Sequence, residues 1–200
     1  YTVERKLGFA NVRNAALNSA VKLNASHLLF IDDDEIAAED WLINHIEFYR
    51  SNEAICVSSG PTYKKITKTY PKYITNNNWF KRRSTKKLGQ QRKCCATGNV
   101  LFPLNIVTEH GIYFSEDFNF LGSEDVDFFT RVNKSGFTIG WNSSAVNYEL
   151  IDDDRANLRW LFDRCFNDGY SGSVVKFREE KNVFKRIFYI VGKIILIPLN

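Results

Sequence analysis

The sequence is poor in cysteine and histidine and has no long apolar run, and each shortage removes a class of answer. Its four cysteines are Cys56, Cys94, Cys95 and Cys165. None falls in a C-x-x-C spacing, and with three histidines an ordinary zinc site has no ligand set to draw on. Reduced thiols in a cytosolic protein are the reading that remains. No signal peptide is visible and the chain does not begin with Met, so it reads as a segment of something longer. No uninterrupted apolar stretch reaches the roughly 20 residues that a spanning helix needs.

A second shortage is of one charge sign. Residues 54–108 contain no Asp or Glu, while Lys64, Lys65, Lys68, Lys72, Lys81, Arg82, Arg83, Lys86, Lys87, Arg92 and Lys93 lie within them. The formal net charge of +4 therefore hides a basic middle and an acidic remainder. Such segregation points to an anionic partner, as phosphate, membrane surface or nucleic acid. Tyr70, Tyr73, Trp79 and Phe80 interleave the basic residues, but no nucleic-acid motif accompanies them, and nucleic acid is not expected. Residues 63–93 read as a loop with one short helix near 78–84, either a solvated surface segment, or a basic lid over a phosphate-bearing ligand or a strip against anionic lipid.

What is present is organised around His27-Leu28-Leu29-Phe30-Ile31-Asp32-Asp33-Asp34-Glu35. The apolar run has the length and composition of a strand. Four adjacent carboxylates repel one another where it ends, and a hard divalent cation such as Mg²⁺ or Mn²⁺ relieves that repulsion. An acidic turn that starts the next helix is the plainer account.

The spacing predicts a helix over 8–23 with Val12, Ala16, Ala20 and Leu23 on its apolar face and Arg13 and Asn14 beside it. A helix over 39–50 and a strand over 54–59 follow. This alternation predicts an α/β layer with parallel strands, whose ligands sit at the carboxyl ends of strands. Residues 94–102 read as a strand with a close backbone approach at Gly98, and 106–110 as a short helix ended by Gly111. A second acidic cluster, Glu124-Asp125-Val126-Asp127, follows Ser123, a good N-cap residue. Strands over 137–141 and 145–150 lead to an amphipathic helix over 155–168 with Gly169 as its stop. From Val183 the tail is apolar with Lys185, Arg186 and Lys193 interspersed, and reads as a helix lying on a membrane or the start of a spanning one.

Taken in order, Gly8…Val12-Arg13-Asn14-x-Ala16, Phe30-Ile31-Asp32-Asp33-Asp34, Gly98-Asn99 and Gly122-Ser123-Glu124-Asp125-Val126-Asp127 resemble the family 2 glycosyltransferases of GT-A fold over residues 8–169. The resemblance implies a Rossmann-like mixed sheet flanked by helices, with residues 1–170 as a partial catalytic domain, while residues 171–200 form the helical, membrane-associated segment read from the tail's own residues. It implies inverting transfer of a sugar from a nucleoside-diphosphate sugar to a glycan or lipid-linked acceptor, in bacterial surface-polysaccharide synthesis at the inner face of the membrane. Asp34, with Asp32 and Glu149, would hold Mn²⁺ or Mg²⁺. Arg13, Asn14 and Asp33 would meet the donor, Asp125 with Glu124 would supply the base, and Gly98, Asn99, Arg159 and Trp160 would lie on the acceptor side.

Two departures qualify the resemblance. Ala156 stands where processive synthases carry Gln before Arg159-Trp160, which argues for a non-processive enzyme. The family's first strand and its base-holding aspartate should precede Gly8, and seven residues do not contain them, so the expected fold lacks its first nucleotide-binding strands. The competing readings are a non-catalytic glycan- or membrane-binding relative, and a Mg²⁺-dependent phosphotransfer enzyme. The latter usually needs a hydroxyl residue soon after its Asp-x-Asp, and Glu35-Ile36-Ala37-Ala38 provides none.

Overall fold

The computed structural model describes residues 3–66, 68–76, 86–180, 182 and 184. The short helix expected near 78–84 and nearly all of the apolar tail lie outside the described residues. In chain order the elements are α1 (Phe9–Lys22), β1 (His27–Ile31), β2 (Glu35–Ala37), α2 (Trp41–Ser51), β3 (Val57–Ser59) and β4 (Thr62–Ile66). Next come α3 (Lys72–Thr75), β5 (Gln91–Arg92), β6 (Asn99–Pro103), α4 (Asn105–Thr108), a 3₁₀ turn at Glu116–Phe118 and α5 (Glu124–Lys134). The last elements among the described residues are β7 (Ile139–Trp141), β8 (Asn147–Ile151), a 3₁₀ turn at Asp153–Arg155 and α6 (Leu158–Glu179).

Two mixed sheets result. The larger has the order β1-β6-β3-β7-β5 and the smaller β2-β8-β4. The parallel layer expected from helix–strand alternation is present only in part: β3 pairs parallel with β7, but β6 enters between β1 and β3 and runs antiparallel to both. Because β1 belongs to one sheet and β2 to the other, residues 32–34 form the crossing between them. The acidic turn thus sits at the seam of the molecule.

The main core lies where α1 and α5 cover the larger sheet. Val57, Val100, Phe102 and Ile139 from strands meet Leu17 from α1 and Phe128, Phe129 and Val132 from α5. The Phe114 and Phe128 rings stack with centroids 4.1 Å apart. Each such side chain removed from water contributes about 1.5–3 kcal/mol, which is why this layer fixes the helices. A smaller cluster of Ile74, Ile151 and Leu161, with Tyr70, Ala156 and Trp160 against it, secures the start of α6.

The helices turn differently from what their apolar residues predict. In α1 the buried residues are Ala10, Leu17 and Ala20, whereas Val12 and Leu23 are exposed. Arg13 and Asn14 share the inward face by helical spacing, and their polar partners inside the protein outweigh the gain from burying Val12. The helix start is held from afar: Asn119 O accepts from Phe9 N–H at 3.1 Å and Asn119 Oδ1 from Asn11 N–H at 3.0 Å. Gly8 suits this place because its φ is 126° and a side chain there would run into Asn119. In α2 the core face is taken by His45 and Phe48, while Leu42 is exposed.

Further corrections concern the helix ends and the basic middle. Ser123 stands at the N-cap of α5 but in the left-handed region, φ 63°, and its hydroxyl pairs with Ser171 at 2.7 Å instead of capping. Gly169 does not stop the last helix, which runs on to Glu179 through the boundary expected at residue 170. Asn157 caps its first turn, accepting from Trp160 N–H at 2.9 Å. The segment read as a loop from residue 63 begins with β4, paired parallel to β8, and ends with β5, paired to β7. Several of its charges are used within the protein: Lys64 pairs with Glu149, Lys68 with Asp153, and Lys86 lies over the Trp141 ring at 4.1 Å. All four cysteines are free.

Candidate active site

The seam turn is held rigidly from below. Glu35 N–H donates to Asp32 O at 3.1 Å, and Asp32 N–H donates back to Glu35 Oε2 at 3.2 Å. Leu150 N–H of β8 donates to Asp34 O at 3.1 Å. Glu35 also accepts from Asn147 Nδ2 at 2.6 Å, and the same amide reaches Gly98 O at 2.8 Å. A Cβ at residue 98 would lie 2.5 Å from Glu35 Oε1. Gly98 is therefore glycine to admit the Glu35 carboxyl. Burial raises that carboxyl's pKa to about 7, against the opposing pull of the Asp32 N–H.

Beneath Asn147 a buried polar chain continues into the protein. Asn99, 3% exposed, donates from Nδ2 to Pro61 O, Ala145 O and Asn147 Oδ1. That orientation leaves Oδ1 to accept from Trp41 Nε1 at 2.9 Å and His45 Nε2 at 2.7 Å. His45 therefore carries its proton on Nε2 and accepts from the Ser58 hydroxyl at Nδ1, 2.8 Å away. Burial holds the His45 pKa down to about 4, so the ring is neutral near pH 7. Buried polar groups of this kind are tolerated because each one finds a partner.

The two acidic clusters are joined by one arginine. Arg13 Nη1 is bonded to Glu124 Oε1, and Nη2 lies 3.6 Å from Asp32 Oδ1. Burial raises the pKa of Asp32, Glu124 and Asp125, and Arg13 lowers all three. Asp125 also receives Val126 N–H at 2.7 Å. Glu124 is 5% exposed and committed to Arg13, whereas Asp125, its neighbour, is only partly buried.

On the far side of the seam, Arg155 Nη1 lies 2.6 Å from Asp34 Oδ2 and 3.1 Å from Glu149 Oε1. Glu149 is brought there by register, opposite Glu35 across β2 and β8 and opposite Lys64 across β4 and β8. Burial lowers the Lys64 pKa to about 8, with Arg164 adding to the effect.

Among the described residues no three His, Cys, Asp or Glu side chains stand together as a metal-holding group. The expected trio of Asp32, Asp34 and Glu149 is divided: Asp34 and Glu149 share one cationic nitrogen, and Asp32 turns to Arg13. Two carboxylates nevertheless fit a divalent ion that completes its shell with water and substrate phosphate. Arg155 marks the point on which those two converge.

The other expected residues are distributed as follows. Asp33 is exposed at the tip of the turn. Asn14, expected at the donor, instead fastens the backbone of Phe114, donating to its O at 3.0 Å and accepting from its N–H at 2.9 Å. Asn99 and Gly98, expected on the acceptor side, lie in the buried chain under the seam. Arg159 is exposed on the first turn of α6, and Trp160 packs against the small apolar cluster. Sequence reading missed the linking roles of Glu35, His45, Asn147 and Arg155. Asn147 and Glu149 on one strand were the available signal for a polar end to β8.

The family described as Glycosyl transferase family 2 matches residues 1–111. The succinoglycan biosynthesis protein ExoM of Rhizobium meliloti (strain 1021) is 30% identical over 157 residues, which are 78% of this chain and 49% of that protein. The chain thus spans about half the length of the curated relative it matches. In fold, it resembles S. aureus TarS 1–349 in complex with UDP, with a TM-score of 0.55 at 13% identity, over 91% of this chain and 48% of that one. It also resembles GalNAc-T7 with UDP, GalNAc and Mn²⁺, with a TM-score of 0.56 at 12% identity, over 76% and 32%. The mixed sheets flanked by helices are those of the GT-A fold, and the chain belongs to glycosyl transferase family 2.

Proposed function

We propose that the protein transfers a sugar from a nucleoside-diphosphate sugar to a hydroxyl of a glycan or lipid-linked acceptor, with inversion, in cell-surface polysaccharide synthesis. The observation that carries this reading is the convergence of Asp34 and Glu149 on one cationic centre beside the Asp32–Arg13–Glu124 bridge. It supports a division of roles in which Asp34 and Glu149 are the metal-side carboxylates and Asp125, beside Glu124, is the base. The relative ExoM is named for succinoglycan synthesis, and the TarS structures with UDP and with UDP-GlcNAc support the choice of donor class.

In this reading Asp34 and Glu149 would hold Mn²⁺ or Mg²⁺, which would supply positive charge to the diphosphate leaving group. Asp125 takes the proton of the acceptor hydroxyl. The acceptor oxygen attacks the anomeric carbon from the face opposite the diphosphate, and the diphosphate departs with the electron pair of the broken C–O bond. Glu124 positions Arg13, and Arg13 keeps the base-side helix in register with the seam turn. The buried chain from His45 to Glu35 holds that turn still. Preorganised charge of this kind is the largest single contribution in most enzymes.

The reading also includes a membrane surface. Leu158, Phe162, Phe166 and Tyr170 are exposed at four-residue intervals along α6, and the chain continues into an apolar tail with Lys185, Arg186 and Lys193 but no acidic residue after Glu180. Among the described residues no helix is long and apolar enough to cross a membrane.

Asp34→Asn and Asp125→Asn in the full-length protein are expected to reduce release of nucleoside diphosphate by about a hundredfold or more while leaving the fold intact by circular dichroism. Near-normal turnover in either variant would remove that residue from its role. Release of inorganic phosphate in place of nucleoside diphosphate would favour a phosphotransfer enzyme, and glycan binding without turnover a binding relative.

A further inference from the structure

Arg155 ends the 3₁₀ turn that follows β8, so it reaches the seam from the same segment that delivers Glu149. Its side chain is 36% exposed, and one guanidinium nitrogen bonds both Asp34 and Glu149. Those carboxylates belong to positions 121 and 6 residues away in the chain. Two carboxylates brought together repel, and a cation between them is what allows the arrangement. A divalent ion and a guanidinium cannot occupy the same place, since both are positive and both need the same oxygens.

We propose that Arg155 is a resident counter-cation: it holds Asp34 and Glu149 together in the metal-free protein and is expelled when the divalent ion binds. The inference rests on the metal-assisted reading given above. Its exposure and its place on a short turn give the side chain room to move. Once displaced, the guanidinium stays tethered beside the ion, where a nucleoside diphosphate brings the negative charge it has lost. Arg suits this exchange because its planar fork binds carboxylate and phosphate alike. Arg155 thereby links metal loading to donor loading as a positioning residue. Lys64, paired with the other Glu149 oxygen, remains to hold that carboxylate while the exchange takes place.

The test is Mn²⁺ binding to the full-length protein without donor, followed by electron paramagnetic resonance, for wild type and Arg155→Gln. Removing a competing charge should tighten Mn²⁺ binding about tenfold, while uridine diphosphate binding in the presence of Mn²⁺ should weaken. Equal or weaker Mn²⁺ binding by Arg155→Gln would overturn the inference while leaving the metal reading intact. Failure of the wild type to bind Mn²⁺ at all would overturn both. A second measurement needs no folded variant: Mg²⁺ titrated into ¹⁵N-labelled wild type should shift the Arg155 Nε–Hε resonance, and a resonance that does not move would overturn the exchange.

Discussion

Glu149 is the residue whose role most depends on its strand neighbours, because register sets it between Glu35 and Lys64 and the turn after β8 brings Arg155 to it. Glu149→Gln keeps the shape and removes the charge, and Mn²⁺ affinity measured by calorimetry is expected to fall about tenfold or more. Unchanged affinity would take Glu149 out of the metal-side pair. His45 offers a test of the buried chain below. Its ring is fully buried with its pKa at about 4, against 6.5 in an unfolded chain. Between those values the unfolded chain binds the proton and the native protein does not. The stabilisation is therefore complete above about pH 6.5 and is lost as pH falls towards 4, at most about 3 kcal/mol in all. Urea unfolding at pH 7.5 and pH 5 should show this loss, and His45→Gln should flatten it. The metal-side role of Glu149 was expected from the family resemblance, but the role of His45 was not visible in the sequence. A lone histidine on a helix reads as one more polar residue, and only the side of α2 that faces Asn99 makes it a core member.

At the scale of elements, α6 carries the prediction about membranes. Leu158, Phe162, Phe166 and Tyr170 are each more than half exposed, and the Phe162 and Phe166 rings stack at 6.5 Å. The double change Phe162→Ser with Phe166→Ser touches no core contact, so the fold should survive. Partition of the full-length protein into vesicles of phosphatidylcholine and phosphatidylglycerol should fall roughly tenfold or more, given about 1.5–3 kcal/mol for each buried Phe. Undiminished partition would direct attention to the tail instead. Elements with strong local signals were legible in the sequence: β1 has the bounds its apolar run implied, and α1, Phe9–Lys22, falls one residue short of the expected 8–23 at each end. Their rotation was not, because the choice between Val12 and Leu17 as the buried side rests on where Glu124 and Phe114 stand. The end of α6 was misjudged for a related reason: bonds to Asp127 and Glu179 from Arg178 and Lys134 join α5 to α6 well past Gly169.

For the whole molecule, the order of the acidic clusters and of Gly98-Asn99 made the fold class and family readable before any distance was known. What stayed hidden was the insertion of β6 between β1 and β3 and the division into two sheets, since pairings over such separations leave no periodic trace in the sequence. The chemistry gathers where that division falls. Asn147 meets Glu35 over 112 residues, Arg13 meets Glu124 over 111, and Arg155 meets Asp34 over 121. Contacts of such long range are slow to form, because the intervening loop must close before any pairing rewards it. Asp32 has Arg13 before it in the chain, but Asp34 and Glu35 meet their partners Arg155 and Asn147 only once these have been made. Closing the seam therefore waits on residues more than a hundred positions further along the chain, and until they arrive the mutual repulsion of Asp32, Asp33, Asp34 and Glu35 keeps that turn in water.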